Sequence, residues 1–422
     1  MIRENDINIE RDVNIHLENR KVSRKFFWFI WVVFAVVSMT KNCYNGSLAS
    51  IVSEGVLTKS QTGTITAIFY LVYTPFQILG GILSDKHSPE RMIKIGLIGA
   101  VIANTIIFFN QNYYIMLGAW AFNGIIQFGI WPSVFKIFSS QLVRSERSQM
   151  SFYISFSATA GVLISYIIAA MIPDWRYNFA VSAVFLLACV VGLHIFEKYL
   201  NPYMKWDAKE IKDDSSKKKT DVSVMKVFVA SGFFFMLFGM ILSVTVSQTR
   251  ATLTSVMLVE NYDTVAPSLG NILTAVMILA GLAGNLIAGK FMKKVKNEVG
   301  FIVIIAIAKI PFLLACTMVG TFPVSIMITM LSVVACLESA SDLTKTYYTM
   351  HFTKYGLSGT AAGILNAGSA FSYMVAAYVM PRIVEEFGWH SLLVLLPILI
   401  GIAILSFCII IKCFGKFKKS AI

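Results

Sequence analysis

The sequence predicts an all-α membrane protein whose twelve transmembrane helices form two pseudo-symmetric six-helix bundles. Hydrophobic residues make up 56% of the 422 residues and charged residues only 14%, which is too apolar for a soluble domain. The pattern Ala-Gly-x-x-x-Ser-Tyr-x-x-Ala-Ala at residues 160–170 also recurs at residues 367–377, 207 positions later. A repeat of this length indicates a duplicated membrane domain, which is typical of secondary transporters.

Twelve segments are apolar over the length of about 20 residues that a helix needs to cross roughly 30 Å of hydrocarbon. Lipid-exposed backbone must form its hydrogen bonds within the segment, so these segments are predicted to be helices. The predicted spans are 26–48, 62–84, 91–109, 113–141, 149–172, 177–197, 224–247, 266–289, 300–319, 323–348, 357–380 and 389–412.

The spans divide the chain into bundles at 26–197 and 224–412, a linker at 198–223, and tails at 1–25 and 413–422. The first tail lacks the basic-then-apolar order of a cleaved signal, so the first span is expected to remain as an anchor. Seven lysines in the linker predict a solvated tether between the bundles.

The distribution of positive charge predicts the orientation of the chain. Of the 36 lysines and arginines, only Lys59, Arg176, Arg250 and Arg382 are expected outside, and Lys41, Lys136, Lys309 and Lys345 within spans. This bias predicts a multi-pass protein of the cell membrane with both termini in the cytoplasm. The net charge of +13 then reflects orientation and attraction to anionic lipid, and no nucleic-acid partner is expected.

A polar motif follows the second span, with Gly81 four residues before Asp85 and with Lys86 and Arg91 behind it. This spacing resembles the Gly-x-x-x-Asp-Arg/Lys signature of the major facilitator superfamily. Gly81 would let two helices approach closely, and Asp85 could cap a helix or pair with Arg144. The motif is therefore predicted to be a cytoplasmic gate; the alternative is a simple turn with solvated charges.

Four stretches of the first half look like the organophosphate:phosphate antiporter branch of that superfamily, the glycerol-3-phosphate and hexose-phosphate carriers. They are 41–42, 84–91, 123–132 and 174–176. The resemblance implies exchange of a phosphorylated solute.

Several phosphate-binding residues of that branch are replaced in this chain. Thr40 and Gln77 stand where the branch has an Arg and a Lys, its fifth-helix His has no counterpart, and Arg250 is placed too near the outside to replace its seventh-helix Arg. A phosphate dianion needs bidentate Arg or clustered cations. These departures argue against a phosphate ester as the solute.

Charged residues inside the predicted spans are the strongest functional signal, because each costs about 2.5–3.5 kcal/mol at the bilayer centre on insertion scales. Lys41 and Lys136 make the first half cationic, which suits a carboxylate or another anion. The alternative is a side chain that reaches the cytoplasmic interface, which suits Lys136 better than Lys41.

The second half carries Lys309 and a stripe of one helix face formed by Glu338, Asp342 and Lys345. Two carboxylates four residues apart repel one another, so either could carry a proton. The alternative is a static ion-pair cluster with the two lysines.

Polar and aromatic residues near these charges are predicted to line the cavity. The predicted substrate-binding residues are Lys41, Asn42, Tyr73, Gln77, Gln127, Trp131, Lys136, Asn366 and Tyr373.

The sequence therefore predicts a secondary transporter for a small organic anion, working by alternating access and coupled to protons or to anion exchange. An enzyme is not expected, because no nucleotide-binding loop is evident and the five histidines do not cluster. No cofactor, disulfide or metal site is indicated by the six scattered cysteines. A transporter-like solute sensor and a multidrug exporter are the alternatives, and a monomer is expected since one chain encloses its own pathway.

Overall fold

The computed structural model describes residues 13–17, 19–143, 147–208, 224–291, 295–355 and 357–420, which form twelve long helices and one two-stranded ribbon. The first six helices are α1 (Arg20–Ser53), α2 (Lys59–Lys86), α3 (Pro89–Phe109), α4 (Tyr113–Lys136), α5 (Arg147–Met171) and α6 (Arg176–Leu200). The next four are α7 (Phe233–Asn261), α8 (Pro267–Phe291), α9 (Glu298–Cys316) and α10 (Val324–Met350). The last two, α11 and α12, share the run Ser358–Ser420 and meet at Gly388, whose φ of 79° interrupts the helical backbone.

Within the described residues, nine helical segments are long and apolar enough to cross a membrane. The last of these, Gly359–Phe417, contains both α11 and α12. Together with α2 and α5 they account for the twelve predicted spans. The predicted fold of two six-helix bundles is confirmed.

The internal repeat places equivalent contacts in the two halves. A Cβ on Gly161 of α5 would lie 2.1 Å from the carbonyl oxygen of Ala35 on α1, and one on Gly368 of α11 would lie 2.6 Å from Leu237 on α7. Small residues allow this close approach of neighbouring helices. The repeated pattern thus packs α5 on α1 and α11 on α7.

The ribbon pairs β1 (Val13–Leu17) antiparallel with β2 (Met204–Ala208), within the predicted tail and linker. Leu17 is buried against the first bundle, in a cluster that includes Phe138 and Leu142. The all-α prediction did not anticipate this ribbon. We call its end of the molecule the ribbon side, and the opposite end, with the α1–α2 connection, the far side.

Helix α4 is interrupted near its middle. A 3₁₀ turn at Gln127–Gly129 separates Tyr113–Ile126 from Ile130–Lys136, and a π turn follows at Ile137–Gln141. Pro132 lacks the N–H that would bond to the carbonyl four residues earlier, so the helical ladder is broken at this turn. The break lies beside buried polar side chains of the candidate site.

The predicted seventh span was wrong in its bounds. Residues 224–247 were predicted, but a short helix, Val224–Ala230, ends before Gly232 with a φ of 70°, and α7 runs from Phe233 to Asn261. The polar stretch after residue 247 was predicted to lie outside the span. Its threonines instead bond to their own helix, as Thr249 does to the carbonyl of Thr245 at 2.7 Å and Thr254 to that of Arg250 at 2.5 Å.

Candidate substrate site between the two halves

Lys41 provides the positive charge of the first half's wall. Its ammonium lies 4.5 Å from the centre of the Tyr73 ring and 3.4 Å from the Tyr73 hydroxyl. The Tyr73 ring itself is held by stacking on Phe69, with the ring centres 5.6 Å apart. An aromatic face orients a cation without neutralising its charge, so Lys41 remains able to attract an anion.

Two buried amides lie at the break in α4. The Gln127 amide donates to the Asn123 side-chain oxygen at 2.5 Å, while Asn123 Nδ2 and Gln127 Oε1 have no hydrogen-bond partner among the described residues. Buried polar atoms are usually bonded. Their unused donor and acceptor therefore suit a polar ligand or water.

The other residues predicted for the first half have contacts of their own. Trp131 packs on Phe34, with ring centres 5.0 Å apart. Lys136 reaches the ribbon side, where its ammonium is 3.4 Å from the carbonyl oxygen of His87, as expected for a side chain that extends to the interface. Asn42 donates to the Ser38 carbonyl of its own helix. The Gln77 side chain lies outside the described residues.

Arg250 and Glu338 form a buried ion pair on the second half's wall. The Nε and Nη2 atoms of Arg250 both donate to Oε2 of Glu338, at 2.8 and 2.5 Å. The two side chains are only 10% and 4% exposed. The sequence placed Arg250 outside the membrane, which was wrong because α7 continues past it and leaves it near the middle of the helix.

The predicted stripe on α10 separates into two ion pairs. Lys345 bonds to Asp342 at 2.6 Å, and the Asp342 side chain is 60% exposed. Glu338 is buried and faces Arg250 instead. Each acid therefore has its own cation, so repulsion between the two carboxylates is not needed to explain their environment.

Lys309 on α9 is buried without a salt bridge to a described residue. It is 1% exposed, and its ammonium is 3.4 Å from the hydroxyl of Ser243 on α7. A buried ammonium with one long hydrogen bond is incompletely solvated. Lys309 is thus a second cation on this wall that could bind an anion.

Tyrosines connect the two walls. Tyr70 of α2 and Tyr373 of α11 lie with ring centres 5.2 Å apart. The Tyr166 hydroxyl of α5 donates to the backbone carbonyl of Ala251, next to Arg250, at 2.9 Å. The two charged walls therefore meet at a shared aromatic layer. Asn366, also on α11, has an exposed side chain.

The charges of these walls do not cancel. In the central parts of the described helices the cations Lys41, Arg250, Lys309 and Lys345 outnumber the acids Glu338 and Asp342. A low-dielectric site with excess positive charge favours a negatively charged ligand.

The model of one family, the Major Facilitator Superfamily, matches residues 30–353. The chain belongs to the Major Facilitator Superfamily. This is a superfamily of secondary transporters, a class of proteins without enzymatic activity, and the resemblance stated from the sequence is confirmed.

Relatives within the superfamily are distant from this chain. The membrane sensor protein UhpC of Salmonella typhimurium is 26% identical over 39% of this chain, and the matched part spans only 37% of that relative's length. The "probable hexose phosphate transport protein" of Chlamydia trachomatis is 20% identical over 91% of this chain and 90% of its own length. The predicted similarity to the organophosphate:phosphate antiporter branch is confirmed by these relatives.

Solved structures of the superfamily share the fold at low identity. A D-xylose-proton symporter covers 93% of this chain and 98% of its own with a TM-score of 0.72 and 13% identity. A bacterial homologue of the human lysosomal transporter Spinster, solved inward-facing and unoccupied, covers 95% and 98% with a TM-score of 0.69 and 13% identity.

The superfamily's signature after α2 is described only in part. The surroundings of Gly81, the side chains of Asp85 and Lys86, and all of Arg144 lie outside the described residues, and Arg91 is exposed. A close helix approach occurs at the neighbouring Gly80, where a Cβ would lie 2.3 Å from the carbonyl oxygen of Phe128 on α4. The gate role of the motif stays a prediction.

Ion pairs and hydrogen bonds join the two halves on the far side. Lys59 pairs with Glu260 at 2.9 Å, and Trp389 donates to the same carboxylate at 2.7 Å. Glu385 accepts from the backbone N–H of Ser60 at 2.8 Å. We call these residues the far-side clasp. The clasp joins the start of α2 and the end of α7 to α11 and α12, where those two helices meet.

Proposed function

We propose that the protein carries a small organic anion across the cell membrane by alternating access, coupled to protons or to exchange for another anion. The observation that carries this proposal is the excess of positive charge within the helices, where the half-buried Lys41 and the buried Lys309 have no salt bridge to a described residue. Buried cations are costly unless a partner neutralises them. An anionic solute supplies that partner each time it binds.

Contacts between the halves support alternating access. Among the described residues, the far-side clasp joins the outer ends of the two halves, and Asn271 of α8 donates to the carbonyl oxygen of Gly46 on α1 at 2.8 Å. The Tyr166 contact with Ala251 lies at the depth of Arg250. This distribution of contacts supports a conformation that is closed on the far side. In this conformation the site is reached from the ribbon side.

The ribbon side is proposed to face the cytoplasm, since the basic residues of the chain concentrate there. The structure then corresponds to an inward-facing state. We further propose that the chain works as a monomer, because both walls of the site come from one polypeptide.

The residues of the site indicate the chemical class of the anion. Arg250 supplies a seventh-helix arginine, in contrast to its predicted place outside the span. Thr40, however, is buried and donates its hydroxyl to a carbonyl of its own helix. Since one guanidinium and flexible ammonium groups remain, a carboxylate or another singly charged anion fits better than a phosphate dianion. The printed name of the Chlamydia relative makes a hexose phosphate the competing candidate.

Binding and uptake test the proposal. Purified protein is screened by thermal shift with gluconate, glucose 6-sulfate, glucose 6-phosphate and neutral glucose, since a ligand of the native state raises the melting temperature. Compounds that bind are then offered to proteoliposomes. We expect an anion to be accumulated or exchanged, and Arg250→Gln to lower its uptake by at least about tenfold.

A matched control is Lys94→Gln, which removes a cation paired with Glu197 at 2.5 Å between α3 and α6, away from the site. It should retain uptake. Uptake of neutral glucose equal to that of the anions would contradict the proposal.

A solute sensor is the second candidate, because a relative over the matched segment bears the printed name of a membrane sensor protein. Binding of an anion without uptake or counterflow in the same vesicles would favour the sensor. Uptake of many unrelated cationic and neutral compounds would favour a multidrug exporter.

A further inference from the structure

The contact between Arg250 and Glu338 uses only half of the carboxylate. Both guanidinium hydrogen bonds end on Oε2, whereas Oε1 is buried and has no hydrogen bond to a described residue. A fork-on-fork pair would engage both oxygens. A carboxylate or similar anion that faced the guanidinium squarely could form the better pair.

We infer that solute and proton are coupled at Arg250: the anionic group of the solute takes the place of Glu338 on the guanidinium, and Glu338 leaves as the neutral acid. This inference rests on the proposed function, and it names the group that carries the proton. It also accounts for the buried acid in a site that otherwise selects anions.

Arg250 is the cation in direct contact with the buried carboxylate of Glu338. The charged groups near it are Arg250 on α7, Lys309 on α9, and the neighbouring pair Asp342 and Lys345 on its own helix. The ammonium of Lys309 lies on Ser243, and that of Lys345 is held by Asp342. Without Arg250, the buried carboxylate would have no cation in direct contact, and a buried unpaired charge is strongly disfavoured.

The exchange balances charge and protons. Before it, the guanidinium cation faces the Glu338 carboxylate; after it, the same cation faces the solute anion, and one proton has bonded to the Glu338 carboxylate. One anion and one proton therefore enter together, and the net charge of the site does not change. Transport of a singly charged solute would then be electroneutral.

The position of Arg250 links this exchange to the two halves. The residue that follows it, Ala251, accepts the hydrogen bond from Tyr166 of the first half. A change of partner at Arg250 thus takes place where α5 and α7 are joined. This connection is a direct route from solute binding to the interface between the halves.

Thermodynamic linkage tests the inference with two probes whose own charge is fixed between pH 6 and 8, gluconate and glucose 6-sulfate. If one proton binds with each anion, the wild-type affinity should rise about tenfold for each unit that the pH falls. Glu338→Gln should remove this slope, because the amide takes no proton. Its affinity at pH 8 should be at least that of the wild type at pH 6, since the internal competitor is gone.

The matched control is Glu90→Gln, which alters a buried acid of the first half that is bonded to Gln141 at 2.8 Å and lies outside the site. It should keep the wild-type slope. Anion binding by the wild type without a pH slope, or a slope that persists in Glu338→Gln, overturns the inference but leaves the proposed function standing. The absence of a wild-type slope decides against the inference even if Glu338→Gln does not fold. Failure of both probes to bind the wild type and to enter vesicles overturns the proposed function itself.

Discussion

Lys41 and Tyr73 show how the fold keeps a cation at the centre of a membrane protein. The ammonium lies over the ring at 4.5 Å and only 3.4 Å from the hydroxyl, so the ring contact is well formed and the hydrogen bond is long. A cation–π contact contributes about 0.5–1 kcal/mol at an exposed site and about 2 kcal/mol or more when it is desolvated. The aromatic ring, more than the hydroxyl, is therefore expected to position Lys41.

Substitutions of this pair should separate charge from position. Lys41→Gln is expected to weaken anion binding about tenfold or more, because a hydrogen bond to a charged group contributes about 1.5–3 kcal/mol. Tyr73→Phe keeps the ring and should weaken binding by less than about threefold. Calorimetric affinities for gluconate measure both, and a larger loss in Tyr73→Phe than in Lys41→Gln would contradict this account.

Lys309 is expected to lower the stability of the protein and to strengthen anion binding. Its ammonium is buried with one contact to Ser243, so Lys309→Met is expected to leave the melting temperature unchanged or raised, since an apolar side chain of similar length replaces an unpaired buried charge. Anion affinity should fall in the same variant. A marked drop in melting temperature with unchanged affinity would show that Lys309 is structural.

At the scale of single residues, the sequence identified the buried charges because charged side chains are rare in lipid-spanning segments. It did not identify Arg250, since the threonines and serines around it resemble a loop. The one available signal was that those hydroxyls recur at spacings that allow each to bond to a carbonyl four residues earlier on a helix. Pairing across the two halves, as between Tyr70 and Tyr373, carries no local signal.

At the scale of helices, α5 and α11 are placed by the repeated glycines. Gly161 brings α5 so close to α1 that the Ser38 hydroxyl of α1 donates to the carbonyl of Ala158 on α5 at 2.8 Å. In the second half the direction is reversed, and the Ser372 hydroxyl of α11 donates to the carbonyl of Ile241 on α7 at 3.0 Å. The sequence predicted these helices and their duplication because apolar length and repetition are visible along the chain. It could not predict which helix each glycine faces.

Gly161→Ala tests this packing. The added methyl would lie 2.1 Å from a backbone oxygen, so α5 must move away from α1, at a cost of about 1–3 kcal/mol. Gly118→Ala on α4 is the control: nothing lies within 4 Å of its Cβ, and the change should stabilise the helix by about 0.5–1 kcal/mol. Melting temperatures in detergent should fall for the first and not for the second. Equal melting temperatures would show that α5 is not held at Gly161.

At the scale of the whole molecule, the far-side clasp sets which face of the protein is closed. Lys59 and Glu260 are 21% and 29% exposed, and exposed ion pairs contribute only about 0–1 kcal/mol each. A clasp of a few such contacts can be opened by solute binding elsewhere. Weak contacts on one face therefore suit a protein that must alternate between two conformations of similar free energy.

Locking the clasp should stop transport. Lys59→Cys and Glu260→Cys, combined in a background in which the exposed Cys408 and Cys413 are replaced by Ser, bring two thiols to the two halves on the far side. A short bifunctional crosslinker should join them and abolish uptake, because the halves can no longer separate there. Lys94→Cys with Glu197→Cys is the control, since α3 and α6 belong to the same half. Crosslinking that pair should leave uptake largely intact, whereas full uptake after crosslinking at Lys59 and Glu260 would show that the far side never opens.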